Sequence, residues 1–460
     1  MIKPPAKDVL AKEAKAFLDA NPDIEKFAML YTDLPGAQRG KLLTRGELLG
    51  AWENGRCLPG SVLSMDITGR DVEETGMIFD TGDADRVVWP VPGTLKRIPW
   101  GSEPAAQYLG AFHELDGEGC ITDPRNALAR VVARFAELKL KPVAAVELEF
   151  YLLDRDSALA GKPKPPTGLT VPMPQRHYGG YDLQDLDDFA PFFQDLYAAA
   201  EKQGLPLEAA LSEYSPGQME IGLKYRTDAL QACDEGFQFK RLVKAIAAKH
   251  GLIASFMAKP YSNWTGCGMH LHVSLADEAG NNVFASDDPV NNVPLRHAIG
   301  GMKKTMADGM AIFAPNANSY RRFRKSSYAP IAPNWAVNNR TVSLRIPAGK
   351  GASCHVEHRA SGADANCYLA LAAVLAGVHH GVKNKVDPGP PVVGNGYEQK
   401  SDPMPTNWFA ALETFRESAF MKDYFGERFV DIFATIKETE ADRFFAEPQP
   451  LDFDFYLRAV

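Results

Sequence analysis

Carboxylates and imidazoles interrupt four apolar stretches of this chain, at positions where a buried strand would otherwise continue. Side chains two residues apart on a strand point to the same face, so we expect Glu147 beside Glu149 and His270 beside His272. Buried carboxylates are costly unless they are paired or coordinate a cation. Oxygen ligands with one or two imidazoles suit Mg²⁺ or Mn²⁺ better than structural zinc. The pattern predicts a divalent-cation site with the candidate ligands Glu147, Glu149, Glu213, Glu220, His270 and Glu357.

A predicted turn at residues 215–218, Ser-Pro-Gly-Gln, separates two of these acids. A hairpin around it would bring Glu213 and Glu220 together and close to Glu149. Three converging carboxylates repel one another strongly without a dication. The alternative for any single one of these residues is an exposed strand face that carries Glu. The complete set favours the metal site because each acid interrupts an apolar stretch.

Two arginines lie close together in residues 338–347, which we predict to form one strand with Arg340 and Arg345 on opposite faces. Arginines are standard ligands of transferring phosphoryl groups, although an isolated pair is more often part of a salt-bridged edge strand. Next to a carboxylate-held metal pair, phosphoryl transfer is the better interpretation. The sequence has no Gly-x-x-x-x-Gly-Lys-Ser/Thr loop, so a nucleotide must be bound in another way.

The composition is that of an ordinary soluble globular protein, with 460 residues, 23% of them charged. A formal net charge of −8 without a Lys/Arg-dense stretch argues against a nucleic-acid binder. The six cysteines include no Cys-x-x-Cys pair, which predicts reduced thiols. The first 20 residues lack the apolar core of a secretory signal, and the apolar run at 367–378 is too short to span a bilayer. These features predict a cytoplasmic protein.

The order of patterns predicts two domains in an α+β protein, at residues 1–120 and 121–460. A first helix ends at Asn21-Pro22, and short strands follow at residues 27–32, 39–42, 87–89 and 93–95. Asp123-Pro124 then begins a helix that we expect to run to residue 139. Later segments comprise predicted helices at 186–203, 229–249 and within 408–445, and irregular exposed segments at 161–174 and 387–405.

Several motifs, in a constant order over nearly the whole chain, resemble the glutamine synthetase superfamily and most closely its γ-glutamylputrescine (γ-glutamylpolyamine) synthetase branch. The resemblance rests on Glu147-Leu148-Glu149-Phe150, Gly268-Met269-His270-Leu271-His272, Asn318-Ser319-Tyr320-Arg321-Arg322 and Glu357-His358-Arg359, and on residues 37–41, 82–86, 94–95, 99–100, 216–220 and 339–347. It implies a small β-grasp-like N-terminal domain and a large catalytic domain whose curved antiparallel sheet forms the active-site funnel. It also implies a dodecamer of two hexameric rings, in which the neighbour's N-terminal domain completes each active site.

The resemblance further implies roles for single residues. Two or more Mg²⁺ or Mn²⁺ ions would be bound, the first by Glu149, Glu213 and Glu220, the second by Glu147, His270 and Glu357. ATP would be bound by Glu208, Tyr225, His272, Ser274, Arg340 and Arg345, of which Arg340 would contact the transferred phosphate. Glutamate would be bound by Arg322, Arg359 and Gly266.

Two departures from the family pattern bear on the second substrate. Pro59 stands where ammonia-using members carry an Asp that helps to bind ammonium, and Tyr328 stands at the position of their flap Glu. Both are therefore candidates for an amine site. Thr265 replaces a glutamate-binding Asn of many members. Tyr397 lies in the region of a nucleotidylated Tyr of some bacterial members, but its surroundings differ and favour a plain loop residue.

The hypothesis is an ATP-dependent ligase that joins the γ-carboxylate of glutamate to a primary amine, such as putrescine or another polyamine, through γ-glutamyl phosphate in polyamine catabolism. Acidic residues after the altered turn, Asp66, Asp71, Glu73 and Glu74, could attract a distal ammonium or could form a solvated surface. One alternative function is an ammonia-using glutamine synthetase that tolerates the lost acids. Another is a non-catalytic paralogue with a structural or regulatory role.

Overall fold

The computed structural model describes residues 3–173, 179–400, 402 and 404–460. The helices are α1 (Lys7–Ala20), α2 (Arg45–Asn54), α3 (Pro124–Arg134), α4 (Arg155–Leu159), α5 (Leu183–Asp188), α6 (Ala190–Gln203), α7 (Ala229–Lys249), α8 (Val293–Phe313), α9 (Cys367–Asn384), α10 (Trp408–Glu417), α11 (Ala419–Phe425), α12 (Glu427–Ala446) and α13 (Pro450–Tyr456). The strands are β1 (Lys26–Thr32), β2 (Gln38–Thr44), β3 (Arg56–Pro59), β4 (Asp85–Pro90), β5 (Lys96–Arg97), β6 (Ala105–His113), β7 (Lys141–Asp154), β8 (Leu207–Ser212), β9 (Gln218–Leu223), β10 (Leu252–Ser255), β11 (Met269–Ala276), β12 (Trp335–Val337), β13 (Leu344–Ile346) and β14 (Val356–His358). The α+β fold predicted from the sequence is confirmed.

The N-terminal part of the chain forms a sheet in the order β2-β1-β6-β4-β3, with β5 paired to β6. β1 and β6 are parallel and the other pairs are antiparallel. Nearly every residue of β1 and β6 is buried, as expected for inner strands covered by helices. The predicted strand at 93–95 is wrong: this segment is a turn with Gly93 at φ +78°, and the short strand β5 follows it.

A second sheet in the order β12-β13-β14-β11-β7-β9-β8, with β10 also paired to β7, carries the candidate metal ligands. It is antiparallel except for β12 and β13. The long strand β7 lies at its centre. The division into domains at residues 120 and 121 stays a prediction.

Helices α7, α8 and α9 form much of the core around this sheet. The apolar run of α9 is buried along almost its whole length, which explains why it is apolar on every face. α8 and α9 approach closely at Gly301, where an added Cβ would lie 2.0 Å from the Gly377 carbonyl oxygen. Within the described residues, no helix combines the length and the apolar character that crossing a bilayer requires.

Two predicted helices differ from the structure in their bounds. The helix predicted at 186–203 is divided at Phe189, because Pro191 lacks the amide hydrogen that would continue α5 and instead occupies the first turn of α6. α3 ends at Arg134 and continues as a 3₁₀ turn to Leu138. The helix predicted at 229–249 coincides with α7. Of the loop predicted at 161–174, residue 174 lies outside the described residues, as do residues 401 and 403 of the segment predicted at 387–405.

Candidate active site

Strand β7 presents two carboxylates toward ligands on both neighbouring strands. Glu149 lies directly opposite Glu220 of β9, and Glu147 lies opposite His270 of β11. Glu147 and Glu149 are two residues apart and share one face, as the alternation predicts. Central placement in the sheet therefore brings acids from β7 and β9 and an imidazole from β11 to one point.

The predicted hairpin forms between β8 and β9 and positions a further acid. The Glu213 amide donates to the Gln218 carbonyl oxygen at 2.9 Å, and Gly217 adopts φ +76° in the turn. Ligand atoms of Glu149, Glu213 and Glu220 all lie within 4.8 Å of one another. This group has the composition that we predicted for the first metal.

Two further groups of potential ligands share Glu147. One comprises Glu147, Glu220 and His270, and the other Glu147, His272 and Glu357, each again within 4.8 Å. His270 Nδ1 lies 2.5 Å from Glu147 Oε1 and 3.7 Å from Glu357 Oε1, so the three residues predicted for the second metal are neighbours. All six predicted ligands therefore converge. His272, predicted to bind ATP, is an additional potential ligand.

The electrostatics of this cluster fit a dication. Burial, together with the neighbouring carboxylates, raises the pKa of Glu220 to about 10, and burial and the charge of Glu149 raise the pKa of Glu213 to about 7. Burial also acts to raise the pKa of Glu147, but hydrogen bonds with His270 and His272 hold it well below its ordinary value. Without a cation, repulsion among these carboxylates favours proton uptake. A bound Mg²⁺ or Mn²⁺ would neutralise them instead, and carboxylate oxygens are the ligands that these ions prefer.

Two buried arginines, Arg322 and Arg359, and the partly buried Arg345 lie beside the acidic cluster. Glu357 pairs with Arg359 and also with Arg345, whose Nη1 lies 2.9 Å from Glu357 Oε2. Burial opposes ionisation of Glu357, but Arg359 and the nearby histidines lower its pKa to about 2. Arg322 donates to the carbonyl oxygens of Ala360 and Arg359 at 3.0 and 3.1 Å. The guanidinium groups of Arg345 and Arg359 therefore lie next to the carboxylate of Glu357.

Arg340 is not in the strand that the sequence predicts. β13 begins at Leu344, and residues 338–343 form a turn in which the Asn339 side chain accepts from the Thr341 amide at 2.9 Å. This local hydrogen bond replaces a ladder bond and ends the extended conformation. Arg340 is exposed at the mouth of the site. Its positive charge acts to lower the pKa of Glu213, but burial has the larger effect and raises that pKa.

A narrow cavity opens onto the first ligand group. Its lining includes nine of the residues predicted for the site, namely Glu149, Glu213, Glu220, Gly266, His270, Arg322, Tyr328, Arg340 and Arg359. Sequence reasoning missed Tyr181, Tyr214 and Gln218, which also line it. Tyr214 could have been found from its position directly after Glu213. The side-chain Nε2 of Gln218 donates to Glu149 Oε2 at 3.2 Å, and the Thr265 hydroxyl donates to Gln218 Oε1.

A larger cavity of about 1240 Å³ adjoins the other side of Glu147. Four of the six residues predicted to bind ATP, Glu208, Tyr225, His272 and Ser274, line it. His355, which begins the fourth interrupted stretch but was not predicted as a site residue, also lines this cavity, and its Nε2 lies 3.0 Å from His272 Nδ1. Glu147 lines this cavity and lies within 4.8 Å of ligand atoms of Glu220 and His270, which line the narrow one, so two substrates could meet at the carboxylate cluster.

Other candidates lie elsewhere or have a different role. Pro59 ends β3 of the N-terminal sheet, opposite Asp85 and apart from both cavities in the described chain. Asp66 is buried and pairs with Arg443 of α12, so it is a structural acid rather than part of a solvated surface. Tyr397 is half-buried, and its hydroxyl donates to the Ala329 carbonyl oxygen at 3.0 Å, next to Tyr328.

Known proteins are similar in sequence to this chain along almost its whole length. The family model of the glutamine synthetase catalytic domain matches residues 121–456. Gamma-glutamylputrescine synthetase PuuA of Escherichia coli (strain K12) is 39% identical over 433 residues, which are 94% of this chain and 92% of the relative. Glutamate--isopropylamine ligase of a Pseudomonas species is 34% identical over 431 residues, 91% and 92% of the two chains.

A solved structure agrees with these sequence matches. The structure described as apo GmaS without ligand superposes with a TM-score of 0.83 at 26% identity, covering 96% of this chain and 99% of the other. These matches confirm the prediction of a glutamate–amine ligase in the glutamine synthetase family. The chain belongs to the glutamine synthetase family.

Proposed function

We propose that this protein is an ATP-dependent ligase that joins the γ-carboxylate of glutamate to a primary amine, with putrescine or another polyamine as the preferred substrate. The observation that carries the proposal is the convergence of six ligand side chains and several arginines between two adjoining cavities. The relatives named for γ-glutamylputrescine and isopropylamine ligation support the reaction type.

The larger cavity is the proposed ATP site. Glu208, Tyr225, His272 and Ser274 would bind the nucleotide there, and its phosphates would extend toward Glu147. Glu149, Glu213 and Glu220 would hold one cation, and Glu147, His270 and Glu357 a second. Bound Mg²⁺ or Mn²⁺ would neutralise phosphate oxygens and align them for in-line transfer.

The narrow cavity is the proposed site of glutamate and the amine. Arg322 and Arg359 are buried beside it and would bind the carboxylates of glutamate, and the backbone at Gly266 would add a contact. Arg340, at the mouth, would stabilise the charge on the transferred phosphoryl group, and Arg345 would contact the nucleotide phosphates. The γ-carboxylate oxygen attacks the γ-phosphorus of ATP, ADP leaves, and γ-glutamyl phosphate forms.

The amine then attacks the acyl carbon and phosphate leaves, which yields a γ-glutamyl amide. An alkylammonium, with a pKa of about 10.4, must first lose a proton. Acids around the narrow cavity would attract the cation before this step. Tyr328, in place of an acid, and Pro59, supplied by a neighbouring subunit, would favour an alkylamine over ammonium.

An ADP-release assay with glutamate, ATP and Mg²⁺ or Mn²⁺ tests the proposal. The amines are ammonia, methylamine, ethanolamine, putrescine, cadaverine and spermidine. We expect amine-dependent ADP release that is greatest with a polyamine. Equal rates with ammonia and putrescine would favour an ammonia-using glutamine synthetase, and no release with any amine would favour a non-catalytic paralogue.

The wider setting is part of the same proposal. The enzyme would act in the cytoplasm in polyamine catabolism, as a dodecamer of two hexameric rings. The position of Pro59, remote from both cavities of its own chain, supports a site that is completed by a neighbouring subunit.

A further inference from the structure

Three tyrosines line the narrow cavity together with the arginines. Tyr214 follows the candidate ligand Glu213, Tyr328 lies in the loop after Ser327, and Tyr181 precedes α5. Their side chains are 44, 48 and 60% exposed, which is high for aromatic residues beside a buried acidic cluster. A tyrosine face open to solvent at this position is available to a substrate.

The rings are held in a defined arrangement. The rings of Tyr214 and Tyr328 are stacked, with centroids 6.1 Å apart and planes inclined by 15°. Gly180 provides the space beside Tyr214, because an added Cβ there would lie 3.2 Å from the ring. The Tyr181 amide donates to the Ser212 carbonyl oxygen at 2.8 Å, at the end of β8.

The backbone at two of these tyrosines adopts an unfavourable conformation. Tyr181 has φ +63° and Tyr328 has φ +57°, in the left-handed region that bulky residues rarely occupy. Such strain persists where surrounding contacts impose it, and it occurs most often at binding and active sites. Two strained tyrosines on one cavity wall indicate that the position of the rings matters to function.

The chemistry of this wall matches an alkylammonium and not an anion. The face of an aromatic ring carries negative electrostatic potential, so it attracts a cation and disfavours a carboxylate or phosphate. The rings also offer apolar area to methylene groups. Glutamate and ATP are anions, whereas a diamine combines a carbon chain with a second ammonium that stays charged while the first reacts.

We propose that Tyr214 and Tyr328, with Tyr181, form the specificity-determining wall for the amine substrate, which binds the carbon chain and the distal ammonium of a diamine. This inference rests on the proposed ligase function and adds the residues that select the amine. Ammonia and methylamine, which lack both groups, gain little from the wall.

The test measures kcat/KM for putrescine, n-butylamine and methylamine in Tyr214→Ala, Tyr328→Ala and Tyr181→Ala variants. We expect kcat/KM for putrescine to fall about tenfold in the first two variants, the size of a lost cation–π and apolar contact. With methylamine, kcat/KM should fall less than with putrescine, and the KM values of glutamate and ATP should change less than the KM of putrescine. n-Butylamine should be affected less than putrescine, because it lacks the second ammonium.

Matched controls separate the ring face from other effects. Tyr214→Phe and Tyr328→Phe keep the ring and should retain the preference for putrescine over methylamine. Leu159→Ala removes an apolar side chain that is 71% exposed on α4, away from the cavity, and should change none of these constants. Thermal unfolding of each variant shows whether the fold is intact.

The outcomes distinguish this inference from the proposed function. Parallel losses with putrescine and methylamine, or an unchanged ratio in the Ala variants of intact fold, would overturn the tyrosine wall and leave the ligase function standing. Loss of the preference in the Phe variants as well would also overturn it, because the ring face would then not be the determinant. If the wild-type enzyme releases no ADP with any of the three amines, both the tyrosine wall and the ligase function are overturned.

Discussion

At the scale of single residues, Glu147 belongs to two of the potential ligand groups. One group includes His270 of the narrow cavity and the other includes His272 of the larger cavity, so Glu147 connects the two. Its two histidine partners keep it ionised, whereas Glu213 and Glu220 take up protons in the metal-free protein. The cluster therefore contains acids whose charge depends on whether a cation is bound. This difference can be measured as a change of stability with pH.

We expect the melting temperature of EDTA-treated protein to fall as the pH rises from 6 to 9. The folded-state pKa values of Glu213, about 7, and Glu220, about 10, exceed the unfolded value of about 4.3. The stability that their protonated forms contribute is complete below that unfolded value and is lost as the pH rises through the folded values. Mg²⁺ or Mn²⁺ should reduce the fall, because it binds only the folded site.

Differential scanning fluorimetry across this pH range, with and without metal, gives the measurement. Glu213→Gln cannot ionise and should flatten the part of the curve near pH 7. A melting temperature that rises with pH in EDTA, or that metal does not change, would contradict the metal site.

Arg340 provides a second residue-scale prediction. Arg340→Gln should lower kcat about 100- to 1000-fold, as loss of a charge-stabilising donor does, with a smaller change in the KM of glutamate. Steady-state kinetics with the preferred amine give both constants. Arg155→Gln, an exposed arginine at the start of α4, is the matched control. A wild-type kcat in Arg340→Gln would remove this arginine from the reaction.

At the scale of elements, the segment at 387–400 connects the loops that carry Arg340 and Tyr328. The Asn339 side chain donates to the Gly394 carbonyl oxygen at 2.7 Å, and the Gly396 amide donates to Thr341 Oγ1 at 2.8 Å. Tyr397 adds the hydrogen bond to Ala329. Most of this segment is exposed, as predicted, and its hydrogen bonds lead us to propose that it positions the two loops. The interpretation of Tyr397 as a plain loop residue stays a prediction.

Tyr397→Phe tests that role. The variant loses one hydrogen bond to the loop that carries Tyr328, so the KM of the amine should rise several-fold, in line with about 0.5–1.5 kcal/mol per bond. The KM of ATP should not change, because the nucleotide cavity lies on the other side of Glu147. Equal increases for the amine and ATP would indicate a general loss of structure instead.

The sequence predicted the pairing of Glu147 with Glu149 and the hairpin at Glu213, because alternation and turn residues act over a few positions. It could not place Glu149 opposite Glu220, since strand register depends on packing between distant segments. The turn at Arg340 depends on one side-chain hydrogen bond, which competes with the strand pattern. The stacked tyrosines come from two loops 114 residues apart, so no local pattern indicates them.

At the scale of the whole molecule, the C-terminal helix α13 leaves a large apolar surface exposed. The residues concerned, all more than half exposed, are Leu451, Phe453, Phe455, Tyr456 and Leu457. Exposed apolar patches of this kind usually mark an interface between proteins. Together with the position of Pro59, this surface supports association of several copies.

Light scattering after gel filtration tests the proposed assembly. We expect a mass about twelve times the 50.4 kDa of the chain, and a smaller particle after deletion of residues 448–460. Substitution of Asp454, a charged residue of the same helix, by Asn is the control and should keep the mass. A monomer in the wild type would contradict both the ring assembly and a site shared between subunits.

Oxygen-18 transfer tests the central claim of glutamate activation most directly. Glutamate labelled at both γ-carboxylate oxygens is incubated with ATP, Mg²⁺ and putrescine, and the products are analysed by mass spectrometry. The proposed reaction transfers one labelled oxygen to each phosphate released and leaves one in the γ-glutamyl amide. Unlabelled phosphate, released without amide formation, would show that water and not the γ-carboxylate accepts the phosphoryl group, and would contradict the ligase.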